Sequence, residues 1–192
     1  MYQKYQTDVI VVGARESGEA DKTFALYTRD FGLVRARATS VRSEKSKMRY
    51  ALQSYARADV ALVRGKNGWR LAGASAATSA IGKDTSGVSA FARVSDLILK
   101  LVAGEERNEY LFETLSHAHT ALMRESVEAH ATIEIVAAAR IMYALGYISA
   151  EALETALFTH TAYGEPEIAE AEALQEQLLS SINRALSQTH LY

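Results

Sequence analysis

The spacing of apolar residues changes once along this chain, and that change constrains the fold more than any other feature. Up to about residue 75 apolar side chains alternate with polar ones or form short β-branched runs; from about residue 88 they recur every three or four positions. A period of two puts one face of a strand against a core, and a period near 3.6 does the same for a helix. In the first part, "TDVIVV" (7–12) reads as a buried strand and "KTFALYT" (22–28) as a half-buried one. "RDFG" (29–32) supplies a turn, "LVRARAT" (33–39) resumes the strand spacing, and "SYARADVALVRG" (54–65) is a longer strand. Asn67-Gly68 then reads as a tight hairpin leading into "WRLAGAS". Five strands in so short a stretch predict a closed or nearly closed antiparallel barrel, because closure removes exposed edges.

Residues 76–88, "AATSAIGKDTSGV", read as a linker, or a short helix and a turn. Phe91, Val94, Ile98, Leu101 and Val102 then define one helical stripe, and Leu111, Leu115, Ala118 and Leu122 a second. Residues 130–145, "HATIEIVAAARIMYAL", are apolar nearly all round and predict a buried central helix, ended by Gly146. A short helix is expected from Ser149 towards His160. Pro166 suits the start of one last helix carrying Ile168, Ala171, Leu174, Leu178, Ile182 and Ala185. The expected class is α+β: a five-stranded barrel over residues 1–75, then an all-helical domain over residues 76–192.

Charge follows the same division. Residues 1–75 hold 14 Lys or Arg against 7 Asp or Glu, and residues 76–192 hold 7 against 16, so a net charge of −2 conceals a basic half and an acidic half. Such asymmetry points to a polyanionic partner for the basic half. No apolar run approaches the roughly 18 residues a membrane helix needs, and the N-terminus has no small-residue cleavage site. The chain has no cysteine, which removes disulfides and thiolate zinc sites and fits a cytoplasmic setting.

Three catalytic readings fail on their chemistry. Gly13 and Gly18 have phosphate-loop spacing, but Glu19 and Ala20 stand where that loop needs Lys and a hydroxyl residue. His117 and His119 are two apart on a helix, so they diverge; they read as solvated helix residues rather than metal ligands. The acid pairs Glu105-Glu106 and Glu151/Glu154 read as charges at helix N-termini, and no nucleophile elbow occurs. The chain is expected not to be an enzyme and to need no cofactor.

The basic barrel carries the one constellation with a clear use. Arg35 and Arg37 are two apart on a strand and leave the same face, while Arg42, Lys45, Lys47 and Arg49 crowd a Ser-rich connection that reads as a mobile clamp. With Arg15 and Arg57 they form the candidate DNA-binding set. Tyr27, Phe31, Tyr50, Tyr55 and Trp69 lie among them; several rings are expected inside, Phe24 and Phe31 among them, and a cap on the barrel is the alternative for Trp69. Cations release counterions from phosphates and flat rings stack on bases, which is the mixture that single strands require.

The stretch "GARESGEADKTFALYTRDFGLVRARATSVRSEKSKMRYALQSYARADVALVRGKNGWRL" resembles the N-terminal domain of the RecO recombination-mediator family. The pieces that carry the likeness are Gly18-Glu19-Ala20-Asp21, Thr28-Arg29-Asp30-Phe31-Gly32, the basic stretch 35–49 and Leu52-Gln53 before an alternating strand. "LILKLVAGEERNEYLFETLSHAHTAL" (97–122) and "ARIMYALGYIS" (139–149) are similar to the family's later helices. The resemblance implies an OB-fold domain followed by helices. It also implies binding of single- and double-stranded DNA, annealing of complementary strands, and work with RecR, RecA and single-stranded-DNA-binding protein. A monomer near the nucleoid is expected. Many family members carry a four-cysteine zinc module between late helices; residues 148–166 have no cysteine, so zinc is excluded and the helical domain is expected to be pared down. A general RNA-binding or translation-associated OB-fold protein is the alternative that the same charge and rings would serve.

Overall fold

The computed structural model describes residues 3–77, 85–151, 153 and 155–189. Two compact units divide the chain: Met1–Ile81 with Val102–Phe112, and Gly82–Leu101 with Glu113–Tyr192.

The first unit is built on five strands: β1 Lys4–Ser17, β2 Asp21–Thr28, β3 Gly32–Ala38, β4 Arg57–Gly65 and β5 Gly68–Ala76. They close in the order β1-β2-β3-β5-β4, with β3 and β5 parallel and the other pairs antiparallel. This is the OB-fold barrel that the spacing and the resemblance lead one to expect. Alternation works as the period-two argument requires: Val34, Ala36 and Ala38 turn inward while Arg35 and Arg37 turn out. Val9, Val11, Phe24, Leu26, Val60, Leu62, Trp69 and Leu71 fill the interior. Each fully buried Leu is worth roughly 1.5–3 kcal/mol relative to exposure.

Three local details depart from expectation. β1 runs well beyond residue 12 and carries a bulge, since Val11 pairs with Leu26 but Gly13 with Ala25, leaving Val12 as the extra residue. The last hairpin pairs Gly65 with Gly68, so its two-residue loop is Lys66-Asn67 and Gly68 (φ 93°) already belongs to β5. β4 starts at Arg57 rather than at 54, because Tyr55 takes a left-handed conformation (φ 64°) and its N–H donates to Val11 O at 3.0 Å. Between β3 and β4, residues 39–47 form successive turns and Met48–Ala51 a single helical turn, α1. Within the same unit Gly32 (φ 65°) lies against the Glu106 backbone; a Cβ there would sit 2.2 Å from Glu106 O.

The second unit holds α2 Thr85–Leu101, α3 from Glu109 to Arg124 (its first turn belongs to the barrel unit), α4 Val127–Ala144, α5 Glu165–Ala173 and α6 Gln175–Gln188. Phe91, Val94, Ile98 and Leu101 on α2 and Leu111, Leu115, Ala118 and Leu122 on α3 are buried, as their spacing predicts. Gly87 lets α2 approach α3 closely, since a Cβ there would lie 2.0 Å from Leu122 O. Gly146 (φ 79°) ends α4: its N–H donates to Tyr143 O, and that of Tyr147 to Met142 O.

Part of the linker reading lies outside the described residues, at 78–84; residues 85–88 are already helix. The helix expected from Ser149 is replaced, among the described residues, by turns and a 3-10 turn at Ala156–Phe158; residues 152 and 154 of that reading are outside them. The last helix is two helices, interrupted at Leu174 (φ −104°, ψ 10°). The break allows Ala171 of α5 and Leu178, Ile182 and Ala185 of α6 each to be buried, and both helices pack on α4. Pro166 occupies the first turn of α5, where its missing N–H costs nothing, and Glu167 accepts the Gly164 N–H at 2.7 Å. No helix of the described residues is long and apolar enough to cross a membrane.

Candidate nucleic-acid interface

The outer face of the barrel gathers arginines in a row that crosses the strands. Arg15 on β1 pairs with Thr23 on β2, Thr23 with Arg37 on β3, and Arg37 with Arg70 on β5. Paired residues in a sheet point to one side, and neighbouring strands lie about 4.8 Å apart. Arg15, Arg37 and Arg70 are exposed, and Arg35 projects from the same face two residues along β3.

Arg15 joins the row only because of the bulge at Val12. Before it Val9 and Val11 face the core; after it Ala14 pairs with inward-facing Phe24, so Arg15 turns outward. A regular strand would have aimed Arg15 into the barrel. Arg37 and Arg70 stand side by side, and Asp21 offsets the crowding of charge. Its Oδ2 accepts from Arg37 Nη2 at 2.6 Å and Nε at 3.1 Å, while its Oδ1 accepts the Ser40 N–H at 2.8 Å. The Ser40 N–H and then Arg37 hold the Asp21 carboxyl below its ordinary value of 3.8. Among the described residues Arg15 and Arg35 have no carboxylate partner.

The other candidate residues fall elsewhere. Lys45 and Lys47 are exposed on the turns between β3 and α1. Arg42 and Arg49 line a recess at one mouth of the barrel together with Lys22. Arg42 pairs with Glu16 at 3.2 Å; Arg49 lies 4.8 Å over the Tyr50 ring and donates to its hydroxyl at 3.0 Å. Arg57 is not brought to the row. It pairs with Ile10, five residues back along β1 from Arg15, and sits beside two acids, Asp8 and Asp59, that face each other across β1 and β4. Asp59 shares a hydrogen bond with Asp8, which pushes the Asp59 carboxyl up and the Asp8 carboxyl down.

Most of the rings proposed for stacking belong to the core. Tyr27 is buried, and burial pushes its hydroxyl well above the ordinary tyrosine value. Phe31 and Trp69 join Tyr5 in a cluster with centroids 5.2–5.6 Å apart. Tyr55 is half-buried, whereas Tyr50, at 62% exposure, is open for stacking. Two other readings change. His119 is buried, with its ring edge-on to Phe91 at 5.0 Å, and only His117 is a solvent-facing helix residue, bonded to Thr161 at 2.8 Å. Glu105 and Glu106 precede α3 rather than open it: Glu105 pairs with Arg64 at 3.4 Å, and Asn108 caps the helix by accepting the Leu111 N–H at 2.9 Å. Among the described residues no group of three His, Cys, Asp or Glu could hold a metal ion.

Arg70 was missing from the candidate set, and its place depends on a parallel pairing between β3 and β5. Nothing local in the sequence signals that register.

The family described as Recombination protein O N terminal matches residues 1–79. Residues 1–79 are therefore similar to the N-terminal domain of that family. The DNA repair protein RecO of Desulfitobacterium hafniense is 36% identical over 63 residues, which cover 33% of this chain and 23% of that protein. Those of Pelotomaculum thermopropionicum and Dehalococcoides mccartyi are each 40% identical over 62 residues, covering 32% of this chain and 24% of those proteins. The matches thus span about a quarter of the length of these relatives.

Proposed function

We propose that this protein binds DNA through the outer face of its RecO-type barrel and acts in DNA repair by annealing complementary strands. The observation that carries the proposal is the row Arg15–Thr23–Arg37–Arg70, with Arg35 beside it, on a domain similar to the N-terminal domain of the RecO family. A rigid sheet holds these cations at fixed spacing, so phosphate binding needs no reordering of the chain. Annealing brings two polyanions together, and a cationic surface screens their repulsion. Lys45, Lys47, Arg42 and Arg49 would extend the contact along a strand, with Tyr50 available to stack on a base. Arg57, beside two carboxylates, contributes least in this reading.

In this reading residues 1–75 carry the nucleic-acid role and residues 76–192 are the helical domain. The partners proposed from the RecO relationship are RecR, RecA and single-stranded-DNA-binding protein, in the cytoplasm at the nucleoid. No covalent chemistry and no cofactor form part of this proposal. The test is annealing of complementary strands coated with single-stranded-DNA-binding protein, run beside competition between DNA and RNA oligonucleotides. Accelerated annealing with preference for DNA supports the proposal. Tight RNA binding without annealing would favour the RNA-binding alternative.

A further inference from the structure

Arg42 and Arg49, which extend the outer-face contact above, also share a recess with Lys22, a cation that the row does not use. At one mouth of the barrel lies a cavity of about 260 Å³ lined by Lys22, Arg42, Arg49, Phe24, Val41 and Leu52. Lys22 pairs with Ala38, whose side chain faces the core, so Lys22 points to the barrel interior and not to the outer face. The connection after β3 brings Arg42 over the opening: its N–H donates to Ala20 O at 3.0 Å, and Val41 beneath it is buried. Glu16, opposite Lys22 on β1, pairs with Arg42 and is the one acid in ion-pair contact with these cations among the described residues. Three cations against one carboxylate leave the recess positive.

Its floor tells which part of a nucleic acid fits. Phe24, Val41 and Leu52 are only 2–4% exposed, so they offer almost no surface on which a base could stack. A compact oxyanion needs only the cations, and three cationic side chains lining one recess suit the oxygens of a phosphate. A floor closed by the barrel core receives a group that ends there; a backbone that enters must also leave. We propose that this recess holds the terminal phosphate of a nucleic-acid strand, with Lys22, Arg42 and Arg49 as its donors. The inference rests on the nucleic-acid reading above and adds an end-recognition site to it.

The experiment compares fluorescently labelled single strands of about twelve nucleotides, a length within the range one OB-fold covers. One strand carries a terminal phosphate, one a terminal hydroxyl, and one is circular; affinities come from anisotropy at low salt. The phosphorylated strand should bind roughly three- to ten-fold tighter than the hydroxyl strand. Lys22→Gln should bring that ratio to one, and Glu16→Gln should raise it. Equal affinities in the wild-type protein, or a preference that survives Lys22→Gln, would overturn the recess while leaving the outer-face reading intact. A loss in Lys22→Gln shared equally by circular and ended strands would assign the recess to internal phosphodiesters and overturn the terminal assignment. Failure to bind any of the three strands would overturn both readings.

Discussion

Arginine serves opposite ends in the two units. On the barrel Arg37 is 57% exposed and held by one carboxylate, and Arg35 is free among the described residues; in the helical unit Arg140 is fully buried. Arg140 lies in the C-terminal third of α4, where its Nε donates to Leu157 O at 2.8 Å and its Nη1 to Ala162 O at 2.7 Å. Its guanidinium is 4.6 Å from the centre of the Tyr163 ring. It ties the irregular stretch after α4 back to that helix by donating to two of its carbonyls, of which the Leu157 bond is buried. The same side chain is therefore a binding group on one unit and a fastening on the other. The deciding variable is not charge but whether carbonyls converge on it.

The sharpest way to break that comparison is to remove each arginine in turn. Arg140→Ala should cost about 3–5 kcal/mol in chemical denaturation, because it strands the buried Leu157 carbonyl and opens a cavity. Arg140→Lys should recover little of this, since one ammonium cannot serve both carbonyls as the planar fork does. Arg37→Ala should change stability by about 0.5 kcal/mol or less, as exposed pairs do. Equal costs at the two positions would contradict the division.

Among the described residues each unit also has a glycine under close backbone approach. Gly87→Ala and Gly32→Ala should each cost on the order of 2–3 kcal/mol, the first through a clash with Leu122 O, the second through a clash with Glu106 O and a left-handed backbone. Gly18→Ala, with a left-handed backbone (φ 80°) but nothing within 4 Å, should cost only about 1 kcal/mol. Denaturation midpoints of the three variants would test that order.

The smallest effect concerns the acidic side of the barrel. Asp8 and Asp59 face each other, and like charges placed so cost roughly 0.2–1 kcal/mol. Asp59→Asn should raise Tm by a degree or two near neutral pH. The raised Asp59 carboxyl sets the sign: the folded state takes up its proton above 3.8, so this stability is full below 3.8 and is lost as pH rises through the higher, folded value. The advantage of the variant should therefore vanish in acid, and a thermal-shift series across pH would show it. Asp21 behaves oppositely. Its folded carboxyl is depressed, so its tie to Ser40 and Arg37 is complete above 3.8 and is lost as pH falls through the lower, folded value.

What could be read from the sequence was whatever depends on nearest neighbours in the chain. Alternation in "LVRARAT" placed Arg35 and Arg37 on one face, and helical spacing found the buried stripes of α2 and α3. What could not be read depends on register between distant strands or on a single irregular residue. The bulge at Val12 re-aims Arg15, and the parallel pairing of β3 with β5 recruits Arg70. Apolar surroundings marked α4 as central but could not say that Arg140 inside it meets carbonyls 17 and 22 residues away. Phe24 is inside and Phe31 packs against the core, as expected, but composition alone counts a ring without saying which side of the sheet it faces, as with Tyr27.

The central claim is that the row across the outer face contacts phosphates, and the salt dependence of single-strand binding tests it most directly. Each phosphate contact contributes about 0.7 to the slope of log affinity against log salt concentration for a single strand. Replacing Arg15, Arg35 and Arg37 together by Gln should reduce the slope by roughly 2 and weaken binding at low salt, with the barrel still folded by circular dichroism. An unchanged slope and affinity in a folded triple variant would contradict the claim.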